Sequence, residues 1–275
     1  MNTKPDKKRR FRRRGIYLLP NLLTTAALFA GFYAVVAAMD GAFIRAASGI
    51  FVALILDGID GRVARMTGTD SDFGKEYDSL CDMVSFGLAP ALVIYQWGLL
   101  RIADSGVAWG KLGWLAAFFY AVGAALRLAR FNSRPAADKR FFEGLPSPSG
   151  AGLVGGWVWL GTQYELAGSQ ALIPAFLVTA IAGVLMVSNF RYYSFKELNL
   201  GERIPFTQVL MIPAIFVLIS LNPPIVLFVL FSFYALTGPI YAGYRFVRRR
   251  NRAARAKPVT LASDDADTTE QDKTA

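Results

Sequence analysis

Apolar positions along this chain come in long unbroken runs rather than in the alternating pattern of a half-buried strand. The runs cover residues 18–39, 42–56, 75–99, 107–131, 150–164, 171–187, 204–221 and 224–244. Several approach or exceed the ~20 residues that carry a helix across a bilayer. Polar punctuation separates them. Asp40 and Gly41 close the first run, and Asn222, Pro223 and Pro224 separate the last two. Pro20 suits an early position in the first helix. The second run leads directly into Asp57, and its helix is expected to continue to about residue 66. Residues 67–74 are rich in Gly, Thr, Ser and Asp and predict a turn, with a third helix starting near residue 75. Residues 133–148, rich in Pro and Gly, predict a structured turn. The pattern predicts an all-α, polytopic integral membrane bundle of about eight transmembrane helices.

Composition supports that class: 54% of the 275 residues are hydrophobic, and the mean hydropathy is +0.36. The net charge of +10 raises nucleic acid as a partner. The basic residues, however, sit at the two ends and in particular loops, a distribution that fits membrane topology and anionic headgroups. With eight helices, one side holds the N-terminal tail, 62–75, 127–140, 191–203 and the C-terminal tail, all rich in Lys and Arg. The other side holds loops sparse in basic charge. The positive-inside rule then puts both termini on the cytoplasmic side. The expected organisation is a basic cytoplasmic tail over 1–14, a membrane domain over 15–245, and a tail over 246–275. That last tail begins basic, ends acidic and polar, and is expected to be disordered. No signal peptide is expected, because the segment after the basic N-terminus is long and carries no cleavage-site pattern. The single cysteine, Cys81, excludes an intrachain disulfide framework and reads as a packing residue.

The chemistry concentrates in DGIDGRVARMTGTDSDFGKEYDSLCD, residues 57–82. Asp57 and Asp60 are three apart, and Asp78 and Asp82 four apart, so each pair lies on one helical face. Two helices joined by the intervening turn can bring all four carboxylates together. Four bare anions cannot share a dry site, because like charges repel and desolvation is costly. Divalent cations resolve the conflict, and all-oxygen ligation suits Mg²⁺ or Mn²⁺. The chain has no His, which argues against the usual zinc and nucleophile–His sites. Asp70 and Asp72 read as loop acids or helix caps. Gly61 allows close approach of a ligand to the helix, and Arg65 can grip phosphate through paired hydrogen bonds. Asn21 and Thr24 place polar atoms just inside the first run, where capping and ligand contact are both open.

This stretch resembles the signature of the CDP-alcohol phosphatidyltransferase family. Asp57, Asp60, Gly61, Ala64, Arg65, Gly74, Asp78 and Asp82 all stand at the family's spacing. The resemblance implies transfer of the phosphatidyl group of a CDP-linked lipid to an alcohol, with release of CMP. It implies Asp57, Asp60, Asp78 and Asp82 as ligands of Mg²⁺ or Mn²⁺, two ions in all, with Asp82 as general base. It implies Gly61, Arg65 and Ser71 at the CDP moiety, and Asn21 and Thr24 lining the nucleotide pocket. It further implies a homodimer in a bacterial inner membrane, with the active site facing the cytoplasm.

Outside the signature, RRGIYLLPNLLTTAALFAGFYA, YDSLCDMVSFGLAPAL, ALRLARFN, FEGLPSPSGAG and SNFRYYSFKEL resemble membrane-integral bacterial members that use L-serine as acceptor. CDP-diacylglycerol and L-serine are then the expected substrates. Arg127, Arg130, Asn132 and Arg191 are candidates for the serine carboxylate, against topology anchoring or headgroup contact. Two rival readings stand beside this one. A sister enzyme using glycerol 3-phosphate or an inositol phosphate would carry the same aspartates. A cation transporter would also place carboxylates in the membrane, but the Gly and Arg positions of the signature speak against it. Nucleic acid has little support, since the basic tails flank apolar spans.

Overall fold

The computed structural model describes residues 7–68, 71–100, 107–133, 141–166, 169–193, 213–214 and 217–255; for 7–18, 107–110, 169–170 and 249–255 only the backbone is described. The helices are α1 (Lys7–Met39), α2 (Phe43–Thr67), α3 (Asp72–Asp82), α4 (Ala89–Trp97), α5 (Val107–Ser133), α6 (Ser147–Gln163), α7 (Ser169–Val187) and α8 (Pro223–Arg255). A π-helical segment, Met83–Leu88, joins α3 to α4 into one rod. Of the run at 204–221, residues 213–214 and 217–221 are helical, and the rest lies outside the described residues.

Four differences from the expected elements have physical causes. First, α1 begins at Lys7 rather than near residue 18, because the Lys and Arg there are good helix formers. Pro20 therefore sits inside the helix rather than at its start. Second, α8 continues through the basic stretch to Arg255 for the same reason. Third, the fold is not purely α. Phe141–Glu143 (β1) and Arg191–Tyr193 (β2) pair antiparallel, with Phe142 opposite Tyr192. Aromatic residues favour strand pairing, and the ribbon ties the loop before α6 to the loop after α7.

The fourth difference is the π-helical segment. Pro90 has no N–H to give the carbonyl of Phe86, four residues earlier. The widened turn leaves that carbonyl available, and the buried Tyr120 hydroxyl of α5 donates to it at 3.0 Å. The same segment packs tightly on α1. A Cβ added to Gly31 would lie 2.8 Å from Ser85 Cα, and Ser85 Oγ donates to the Ala27 carbonyl at 3.2 Å.

The core runs through the bundle as small residues of α1 and α2 (Ala30, Ala34, Ala46, Ala53) and larger ones of α4–α7 (Ile94, Tyr120, Val154, Met186). Among the described residues, four helical stretches are long and apolar enough to cross a membrane: Leu19–Met39, Asp72–Trp97, Lys111–Ser133 and Pro223–Arg248. The α7 stretch Ala171–Val187 is apolar but shorter. Large apolar side chains such as Phe29, Phe32, Trp114, Phe118 and Phe233 are exposed on the outer faces. That inverted surface is what a lipid-embedded bundle presents.

Candidate active site

The site is built where α2 ends and α3 begins. Gly68 closes α2 in the left-handed conformation, φ 60°, with its N–H bonded to the Ala64 carbonyl. Ser71 then caps α3 by accepting from the Gly74 amide at 3.0 Å. The expected turn at 67–74 is thus narrower, because the Ser71 cap starts the helix at Asp72. Of the two acids read as caps or loop acids, Asp72 lies in the first turn of α3, and Asp70 lies outside the described residues.

This reversal brings carboxylate oxygens of Asp57, Asp60 and Asp78 within 4.8 Å of one another. Asp60 is the buried member, 4% exposed, and accepts a hydrogen bond from Thr24 Oγ1 at 2.9 Å. It lies past the apolar run that ends at Leu56. Burial pushes its carboxyl up to about 7; the Thr24 hydrogen bond opposes this, and the charges of Asp57 and Asp78 add to it. Such a cluster calls for positive charge. Three oxygens this close, two of them half-buried and one buried, suit a hard cation with oxygen ligands. Asp82, one turn beyond Asp78, lies outside that triad but faces Asp57, Asp78 and, across the site, Arg127.

A cavity opens beside the triad. Pro20, Asn21, Thr24, Asp60, Gly61 and Ser71 line it together with Ala64, Gly74 and Lys75. Four residues expected at the nucleotide (Asn21, Thr24, Gly61, Ser71) therefore share one wall with a candidate metal ligand. The guanidinium of the exposed Arg65 reaches back over Gly61, 3.6 Å from where a Cβ would stand. The sequence reading overlooked Lys75. It lies beside Gly74 of the signature and in the first turn of α3, a cation at the mouth of an acidic site, and makes an exposed contact with Asp72 at 3.7 Å.

The four residues expected at the acceptor do not share one environment. Arg127 is buried, 8% exposed; its Nη1 donates to Ser147 Oγ at 3.0 Å, and its Nε has no hydrogen-bond partner. Arg130, one turn on, donates to the carbonyls of Val187 at 2.9 Å and Ser188 at 3.2 Å and to Asn189 Oδ1 at 3.2 Å. Those are the orphan carbonyls at the end of α7. Asn132 donates to Ser79 Oγ at 2.9 Å, tying α5 to α3. Arg191 is exposed on β2, in register with Glu143. Of these four, Arg127 is the one buried within the bundle, close enough to Asp82 and Asp57 to feel their charge.

A helical bundle with lipid-type outer faces and a carboxylate triad beside a polar cleft defines a membrane protein with a candidate metal centre. Comparison with known proteins specifies it further. The profile of the CDP-alcohol phosphatidyltransferase family matches residues 17–190, and the chain belongs to that family. It is 35% identical to CDP-diacylglycerol–serine O-phosphatidyltransferase of Helicobacter pylori strain J99, over 87% of this chain and 98% of that protein. It is 38% identical to the Mycobacterium leprae protein of the same name, over 60% of this chain and 53% of that one. It is also 33% identical to archaetidylserine synthase of Methanothermobacter thermautotrophicus, over 63% of this chain and 69% of that one.

Proposed function

We propose that the protein transfers the phosphatidyl group of CDP-diacylglycerol to L-serine and releases CMP. The observation that carries this reading is the meeting of Asp57, Asp60 and Asp78 beside a cavity lined by Asn21, Thr24, Gly61 and Ser71. Serine as acceptor rests on the relatives. The bacterial and archaeal names differ in the lipid and share serine.

Asp57, Asp60, Asp78 and Asp82 would hold Mg²⁺ or Mn²⁺, two ions in this reading, which when bound offset the charge of the pyrophosphate. The chain's own groups do the rest. Gly61 leaves room for the phosphates against α2, and Arg65 and Lys75 give them cationic partners. Thr24 fixes the orientation of Asp60. Ser71 holds the first turn of α3 and, with Asn21, faces the nucleotide. Asp82 accepts the proton of the serine hydroxyl. The serine oxygen then bonds to the phosphorus bearing diacylglycerol, the bond from that phosphorus to the CMP oxygen breaks, and CMP departs with the pair. Arg127 meets the serine carboxylate. Arg130, Asn132 and Arg191 stand as further acceptor candidates, the first two already engaged in hydrogen bonds that hold helices in place.

In the same reading the protein is a homodimer of a bacterial inner membrane. Residues 15–245 form the membrane domain. Both termini and the aspartates face the cytoplasm, in keeping with the basic loops on that side. The test is CMP release from CDP-diacylglycerol by the purified protein, with L-serine and then glycerol 3-phosphate as acceptor, before and after chelation of divalent ions. Release that needs serine and is restored by Mg²⁺ or Mn²⁺ is expected. Release with glycerol 3-phosphate alone would keep the chemistry and discard serine. Ion flux in liposomes with no CMP formed under any condition would discard the transferase reading.

A further inference from the structure

We propose that Ser147 is a specificity-determining positioning residue: it holds the Arg127 guanidinium with one edge turned to the site for the carboxylate of the acceptor. The proposal rests on the serine-transferase reading above.

Arg127 is more than nine-tenths buried, and a buried guanidinium ordinarily engages its donors. Here Nη1 is committed to Ser147 Oγ at 3.0 Å while Nε has no partner. The groups around it are Asp82, Tyr234 and Asp57, and the Phe131 ring lies 5.8 Å from its carbon centre. Asp82 is the proposed base, so Arg127 stands near the group that meets the acceptor hydroxyl. In serine the carboxylate carbon lies two bonds from the carbon that bears the hydroxyl. A base and a carboxylate-binding fork on one wall match that geometry.

Ser147 is completely buried, and its own position is tightly determined. It opens α6 directly after Leu145 and Pro146. Leu145 N–H donates to the Leu185 carbonyl at 2.9 Å and Gly144 N–H to the Phe190 carbonyl at 2.8 Å. Gly144 has φ +80°, and a Cβ there would run into the Met186 carbonyl. The ribbon side of the molecule thus sets Ser147, and Ser147 sets Arg127. Its hydroxyl, accepting from Nη1, fixes the plane of the guanidinium and leaves Nε for an incoming carboxylate.

The experiment compares wild type, Ser147→Ala and Arg127→Lys in detergent, each checked for folding by thermal unfolding. It uses L-serine and L-serinamide, which keeps the hydroxyl and ammonium but has no carboxylate. Ser147→Ala is expected to raise the serine KM about ten-fold, the loss of one hydrogen bond to a charged group. It should leave the CDP-diacylglycerol KM unchanged and narrow the preference for serine over serinamide by about the same factor. Arg127→Lys keeps the charge but not the fork and should act in the same direction, which carries the test if Ser147→Ala does not fold. An unchanged serine KM, or an equal fall in kcat for both acceptors, would overturn the proposal and leave Arg127 as a counter-ion of the aspartates. Wild-type CMP release that ignores serine would overturn the functional reading and this inference together. A serine-dependent wild type whose variants keep the preference would overturn only the inference.

Discussion

The two polar regions of this bundle are assembled in different ways. At the α2–α3 reversal, the carboxylates come from one stretch, residues 57–82, and meet because helical spacing puts each pair on one face. Around the end of α5 and the β1–β2 ribbon, each contact joins distant segments: Arg127 to Ser147, Arg130 to residues 187–189, and Tyr192 to the Ala235 carbonyl at 3.0 Å. The first region concentrates like charge that needs a cation to be stable. The second spends cationic and hydroxyl donors mainly on carbonyls and side-chain oxygens, leaving Arg127 Nε without a partner. One region is organised for chemistry, the other for geometry, and Arg127 is where they touch.

The largest effect that separates them is expected from Asp82→Asn. Loss of the proposed base should lower kcat by about 10²–10⁴-fold. Because Asp57, Asp60 and Asp78 remain, CDP-diacylglycerol binding should be retained. Steady-state CMP release and equilibrium binding of the CDP-lipid check both halves. Near wild-type turnover would remove Asp82 from the reaction.

Arg130→Ala should do the reverse. It removes three hydrogen bonds from the end of α7 and leaves half-buried carbonyls unsatisfied, a cost of about 1–3 kcal/mol. The midpoint of thermal unfolding in detergent should fall, while the serine KM of the folded fraction stays as in wild type. An intact midpoint with a raised serine KM would move Arg130 from the structural region into the site.

The same contrast explains what the sequence could disclose. The triad, the Gly61–Arg65 pair and the turn between α2 and α3 are legible because periodicity and turn chemistry act over a few residues. The helical runs are legible because lipid demands long apolar stretches. The ribbon is not: three residues of Phe141–Glu143 carry no periodicity, and their partner is Arg191–Tyr193, on the far side of α6 and α7. The division of labour between Arg127 and Arg130 is equally hidden. Both sit at the end of one helix in the same LRLARFN stretch, and only the distant carbonyls of Val187 and Ser188 distinguish them. Lys75 was within reach, since it adjoins a signature glycine, but a lysine at the end of an apolar span reads first as a topology signal.

The smallest expected effect falls on the rod that carries Asp78 and Asp82. Pro90 deprives the Phe86 carbonyl of its helical donor, the Met83–Leu88 segment widens, and the Tyr120 hydroxyl fills the vacancy at 3.0 Å. Tyr120→Phe keeps the ring and its packing and removes only that donor. The carbonyl is then buried without a partner, and a destabilisation of about 1–3 kcal/mol follows. The effect on catalysis should be smaller still, because Ser85 continues to hold the segment to α1 through Ala27. If the π-helical segment only relieves Pro90, thermal stability falls and kcat stays near wild type. If the widened turn is what aims Asp82 at the acceptor hydroxyl, kcat falls with stability, and replacing Pro90 by Ala in the Tyr120→Phe background should restore stability but not kcat. That double variant separates a helix defect repaired by a tyrosine from a defect the reaction depends on.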